Sequence, residues 1–247
     1  MRTTTYKLCG AFILLCLITG FSRAETVVLS DATYSGKYAG LTIETERRLV
    51  QLDDSSYRLS SEASNFLGSL KETSHFVVLE DIWRPIKYTY QRRIFGAKTT
   101  ETIDFDWDAM TAFYTHSDKP ERDAQLRLTP GVLDPALYLL RIQRDLVLGL
   151  ETLDYKFVKR DRIRHYTIAL LSTKDLDLGD KSYSAIKVGR VNADDDKQTY
   201  VWVIPGLNYL FGKITHLEDG DAHQMTLTRY KVNKTLLQQF FGIDRSE

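Results

Sequence analysis

From Ala32 to Tyr230, short runs rich in Thr, Tyr, Val, Ile and Phe recur between turn residues at intervals of roughly ten to fifteen residues, the spacing of an antiparallel all-β chain. The spacing predicts strands over Ala32–Tyr38, Leu41–Leu52, Tyr57–Ser64, Ser69–Leu79, Pro85–Arg93, Thr99–Asp106 and Thr111–His116. A second series follows over Asp154–Val158, Ile163–Leu171, Ser184–Val191, Thr199–Ile204, Gly212–Leu217 and Gln224–Tyr230. Leu41, Ile43 and Leu49 alternate with Thr42, Glu44 and Arg48, so one face is apolar and the other wet. Turns are expected at Asp180-Lys181, at 192–197 and at Glu218–Ala222, where Asp219-Gly220 is a tight-hairpin signal. The polar stretch Ser117–Thr129 reads as a loop within one domain.

One segment interrupts the pattern. Over Asp134–Gly149 the periodicity becomes helical, with Asp134 able to cap free amides, Pro135 at a position that needs no N–H, and Gly149 suited to a left-handed stop. Leu133, Leu137, Leu140, Val147 and Leu148 form its apolar stripe, which should lie on a sheet face or plug the open side of a curved sheet. A second, short helix is expected over Lys234–Phe241. The fold class is therefore mainly β: a single-domain, strongly curved antiparallel sheet, half-barrel or open barrel, with one central and one C-terminal helix.

The first 24 residues read as an address. Arg2 and Lys7 precede the apolar run Leu8–Phe21, and Ser22-Arg23-Ala24 places small residues before a cut, as in a secretory signal peptide. The run holds about 14 residues against the ~20 of a spanning helix, so no transmembrane segment is expected in the mature chain, residues 25–247. Cys9 and Cys16 both lie in this leader, which leaves the mature chain without thiol chemistry or disulfides. The chain has 33 Lys+Arg and 33 Asp+Glu; losing Arg2, Lys7 and Arg23 leaves it mildly acidic, with no general attraction to nucleic acid.

Several segments together resemble a known family. The start Tyr34-Ser35-Gly36-Lys37-Tyr38-Ala39-Gly40, the Asp134-Pro135 helix, the Val158–Tyr166 hairpin, Lys187-Val188-Gly189-Arg190 and a late Trp202 before a terminal hairpin are similar to the bacterial domain-of-unknown-function 3108 family. The resemblance covers about Asp31 to Tyr230 and implies an exported, periplasmic envelope protein of Gram-negative bacteria. It supplies no catalytic residues. The curved sheet with a helix is also similar in architecture to periplasmic lipoprotein carriers that hold acyl chains in a half-barrel.

No motif fixes a chemistry. In Gly206–Thr215 five residues lie between the glycines instead of four and Ile214 stands where a phosphate loop needs a hydroxyl, so nucleotide binding is not expected. His216, Glu218, Asp219, Asp221 and His223 have ligand chemistry, but acids and glycine are also what a solvated hairpin turn requires. Asp175-Leu176-Asp177 and Asp194-Asp195-Asp196 lack a calcium-loop pattern and read as turns. His75, His116 and His165 are scattered over strands. No catalytic residue, metal ligand or cofactor is assigned, and the chain is expected not to be an enzyme.

Two features point to binding. Arg92-Arg93 with Lys98, and Lys159–His165 with Arg160, Arg162 and Arg164, put cations at hairpin ends, where they either protect strand edges or meet an anionic group. The aromatic load either fills a core or lines a cavity, with Ile204–Phe211 as its mouth or lid. The leading expectation is a protein that binds or chaperones an apolar or amphipathic envelope component such as a lipid. Trp202, Tyr209, Leu210 and Phe211 would contact the ligand, and Arg160, Arg162 and Arg164 its anionic end. The alternatives are an interaction module that docks an envelope protein by a sheet edge or the Leu236–Phe241 tail, and a cell-envelope hydrolase.

Overall fold

The computed structural model describes residues 26–38, 41–53, 55–191 and 197–243, so the expected leader and the Asp194–Asp196 turn lie outside the described residues. Eight strands form a first antiparallel meander: β1 (Val27–Tyr38), β2 (Leu41–Gln51), β3 (Ser56–Asn65), β4 (Gly68–Leu79), β5 (Ile82–Ile94), β6 (Ala97–Asp106), β7 (Thr111–His116) and β8 (Ala124–Arg127). After the helix α1 (Leu137–Val147) a second meander follows: β9 (Leu153–Lys159), β10 (Arg162–Leu178), β11 (Lys181–Arg190), β12 (Lys197–Ile204), β13 (Leu210–Glu218) and β14 (Asp221–Val232), ending in α2 (Lys234–Phe240). Pairing of β1 with β14 joins the two into one sheet whose edges are β8 and β9.

The edges are consecutive in sequence, and the chain between them draws them together. Leu128 N–H donates to Met110 O beside β7, and five residues later Leu133 exchanges bonds with β9 through Lys156 O (2.9 Å) and Val158 N–H (3.0 Å). The sheet is thus curled and barrel-like but not closed, and a connecting segment lies where a further strand would complete it.

Asp134 caps the helix entry: its Oδ1 accepts from Ala136 N–H and Leu137 N–H, each at 2.8 Å. Gly149 ends the helix at φ +70°. The buried surface of α1 is broader than the expected stripe: Leu137, Leu140, Ile142 and Leu146 are buried, and so are Gln143, Arg144 and Asp145, while Leu148 is 39% exposed. The polar three survive burial because each has a partner. Gln143 Nε2 donates to Tyr209 O, Arg144 Nε to Phe241 O, and Asp145 accepts from Arg141 and Tyr155. Asn233 caps α2 by accepting from Leu236 N–H, and Phe240 then packs its ring 4.8 Å from that of Tyr57 and 5.0 Å from that of Trp83.

The strand directions define two ends. The turns at Phe66-Leu67, Phe95-Gly96, 117–123, Arg160-Asp161 and Asp219-Gly220 share the upper end; Glu80-Asp81, Gly179-Asp180 and 205–209 share the lower end with α2. One expected loop and one expected turn need correction. Ser117–Thr129 contains a 3-10 turn (Pro120–Arg122) and the edge strand β8, and Asp175-Leu176-Asp177 continues β10, paired with Tyr183 between Ser182 and Ser184. Asp219 and Gly220, at φ +51° and +89°, form the expected tight hairpin. Among the described residues no helix is long and apolar enough to cross a membrane.

Candidate functional site

Inward positions two apart on β5 carry Tyr88, Tyr90 and Arg92 toward the upper end. With Glu72 of β4, Glu101 and Ile103 of β6, Tyr114 and His116 of β7 and Phe157 of β9, they line a cavity of about 450 Å³. Pro135 and Tyr138, at the start of α1, complete its wall, and Tyr138 stacks on Phe157 with ring centroids 4.2 Å apart. Around it stand Arg92, Lys119, Arg122, Lys159 and Arg160, five cations against the two acids within.

The acids hold hydroxyls. Tyr88 donates to Glu72 (2.6 Å) and Tyr114 to Glu101 (2.8 Å); burial and these carboxylates together hold both phenols far above their ordinary range, so they stay neutral donors. His116 Nδ1 accepts from Asp118 N–H, which places its ring proton on Nε2, 4.0 Å from Glu101.

Beside this polar cavity runs an apolar trough of about 450 Å³ lined by Leu41, Ile43, Ala63, Leu70, Ile94 and Phe95 among others. Arg92 lines both spaces. Deeper on β2, in the same inward row as Leu41 and Ile43, Arg47 places its guanidinium 5.7 Å from the centroid of the Phe211 ring, and its Nη2 is buried without a hydrogen-bond partner. Burial pulls its pKa down, while Tyr34, Glu72, Asp134 and Tyr138 oppose that shift.

The residues singled out in the sequence do not form one site. Of the three arginines, Arg160 lines the cavity from the β9–β10 turn; Arg162 pairs with Asp161 and Arg164 is exposed, and although they stand opposite Lys159 and Phe157 in the phase of Tyr166, neither lines the cavity. Trp202 falls between the buried Val201 and Val203, so alternation turns it outward, where Lys187 and Lys213 lie 5.2 and 5.0 Å from its ring. Leu210 and Phe211 are buried in the core, and Tyr209 lines a lower-end groove of about 650 Å³ with Leu207, Leu237 and Phe241. The Ile204–Phe211 segment therefore seals the end opposite the basic cavity. His216 faces His223 across the β13–β14 hairpin and bonds Thr199, and among the described residues no group of metal-ligating side chains assembles.

These features define a class: an open, barrel-like antiparallel sheet plugged by a helix, with a polar, cation-rimmed cavity at one end. Within it, the chain belongs to the family described as "Protein of unknown function (DUF3108)", whose model matches residues 33–228. A solved structure from Brucella abortus, titled a beta-barrel-like protein of domain of unknown function DUF1849, is similar over 83% of this chain and 98% of its own, with a TM-score of 0.54 and 9% sequence identity. That likeness shows a shared fold. No curated protein matches the chain.

Proposed function

We propose that this protein is a periplasmic binding protein, not an enzyme, and that it holds an amphipathic anion in the mouth of its barrel. The observation that carries this reading is the position of Arg92 between two spaces of opposite character, a trough of aliphatic side chains and a cavity of tyrosines ringed by cations. An apolar chain would desolvate against Leu41, Ile43, Leu70 and Ile94, and an anionic head would meet Arg92 and Arg160, with the phenols of Tyr88 and Tyr90 nearby. Each space falls in the size range of small-ligand pockets, about 300–1,000 Å³.

Native mass spectrometry of protein purified gently from the periplasm, followed by titration with lysophosphatidylglycerol, tests the reading. A one-to-one adduct is expected. Ile43→Glu in the trough and Arg160→Glu at the cavity are each expected to weaken it about tenfold, whereas Arg162→Glu leaves it unchanged. A bare mass at every concentration, or equal losses from Arg160→Glu and Arg162→Glu, would overturn the proposal.

A further inference from the structure

We propose that one side of the upper end, built from the β3–β4 and β5–β6 hairpin tips, docks on the surface of an anionic lipid bilayer. At these tips Phe66 is 82% exposed, Phe95 81% and Ile94 44%. Isolated exposed apolar side chains are ordinary, but here two aromatic rings stand on neighbouring turns whose backbones are braced. Asn65 Oδ1 accepts from Leu67 N–H (2.9 Å) and Gly68 N–H (3.2 Å), and Phe95 N–H donates to Leu67 O (3.1 Å), linking one tip to the other.

Phe95 also sits at φ +48° beside Gly96 at φ +82°. In a two-residue hairpin that first position suits Asn, Asp or Gly, and a bulky side chain there is strained. An aromatic ring held outward at an unfavourable backbone position is what an inserting side chain requires, and it has no use in the core of this sheet.

Charge identifies the occupant. Over residues 65–71 and 91–100 the two hairpins carry Lys71, Arg92, Arg93 and Lys98 and no acid. Elsewhere the upper end is mixed: Lys119, Arg122 and Arg162 alternate with Asp118, Glu121 and Asp161, and the β13–β14 hairpin is acidic at Glu218, Asp219 and Asp221. Lys71 is paired with Glu62 (3.1 Å), and apolar tips flanked by Arg92, Arg93 and Lys98 match a negatively charged headgroup layer, into which aromatic rings partition at the interface. The acidic hairpin on the other side would be repelled, so the contact is one-sided and keeps the mouth near the surface. This inference does not depend on what the cavity holds.

The test is co-sedimentation with vesicles of phosphatidylglycerol and phosphatidylcholine in equal parts, against pure phosphatidylcholine. The protein is expected to bind the anionic vesicles and to be released by salt. Phe66→Ser with Phe95→Asn, and separately Arg93→Glu with Lys98→Glu, should each weaken binding at least tenfold. Because Asn suits the left-handed position, the phenylalanine pair should keep the urea midpoint of the parent, which separates docking from folding. Arg160→Glu, the cavity variant, should bind vesicles as the parent does, so the cavity reading can fail while this one stands. No binding to anionic vesicles, or full binding by the phenylalanine pair, would overturn the proposal. So would a concentration-dependent dimer abolished by that pair, which would assign the patch to a second copy of the chain.

Discussion

Replacing Gly36 by Ala should abolish or severely weaken folding, at a cost of about 3 kcal/mol or more. A Cβ built on Gly36 would lie 2.0 Å from Gln224 O and 2.6 Å from Met225 Sδ. The methionine tip can move, but the carbonyl belongs to the β14 backbone, directly at the Gly36–Met225 pairing. Relief requires β1 and β14 to separate by more than an ångström, which breaks the ladder bonds on both sides, and this pairing joins the two meanders into one sheet. Gly206→Ala is the matched control: no atom lies within 4 Å of its added Cβ. It should shift stability by no more than about 0.5 kcal/mol. Urea midpoints of the two variants measure the difference. An unchanged midpoint for Gly36→Ala would mean that the strands do not approach this closely.

The strands were legible because alternation and turn chemistry agree along most of the chain. Where they disagree, the reading fails for identifiable reasons. β8 is four residues long, Ala-Gln-Leu-Arg, with polar residues on its outward phase, so it offers too little pattern to stand apart from the loop around it. Asp175 and Asp177 read as turn residues because acids dominate turns; in the fold they occupy the wet phase of β10 while Leu176 and Leu178 take the other. The helix cap at Asp134, the stop at Gly149 and the Asp219-Gly220 hairpin are local and needed no tertiary information.

The site was only half legible. Its cations stand at hairpin ends, which sequence marks, and Arg160 was found that way. Which basic residue faces inward depends on strand phase, and phase changes at bulges such as those between His75 and Phe76 and between Thr33 and Tyr34. Tyr88, Tyr90 and Tyr114 look like core residues in a β pattern. Their partners are Glu72 and Glu101, which come from other strands, and only the assembled sheet shows a polar interior. Arg47 did carry a signal, a cation in the phase of Leu41, Ile43 and Leu49, and that departure from the apolar row marks the inside of the barrel.

Asp134 joins fold and site, and its removal should be the most damaging change away from the β1–β14 seam. It is fully buried, accepts the two helix amides with one oxygen and takes the Ser74 hydroxyl on the other. Asp134→Ala strands two buried N–H groups and a hydroxyl, and should cost about 2–4 kcal/mol at any pH while loosening the turn that holds Pro135 and Tyr138 against the cavity. Asp134→Asn separates the hydrogen bonds from the charge, since its carbonyl can accept the same two amides and its NH2 can donate to Ser74. Burial, opposed by those hydrogen bonds, pushes the Asp134 carboxyl up to about 7, whereas in the unfolded chain it titrates near the ordinary 3.8. Between these values the folded state keeps a proton that the unfolded state has lost. The stability this group contributes is therefore complete below about pH 4 and falls as pH rises through 7. The parent should lose stability from pH 5 to pH 8 relative to Asp134→Asn, which does not titrate, and the variant should be the more stable of the two at pH 8. Urea unfolding of all three proteins at both pH values decides it: parallel pH profiles for parent and Asp134→Asn would show that the carboxyl is already ionised at pH 5. In that case Arg47, whose field reaches this carboxylate, would be its counter-ion inside the barrel.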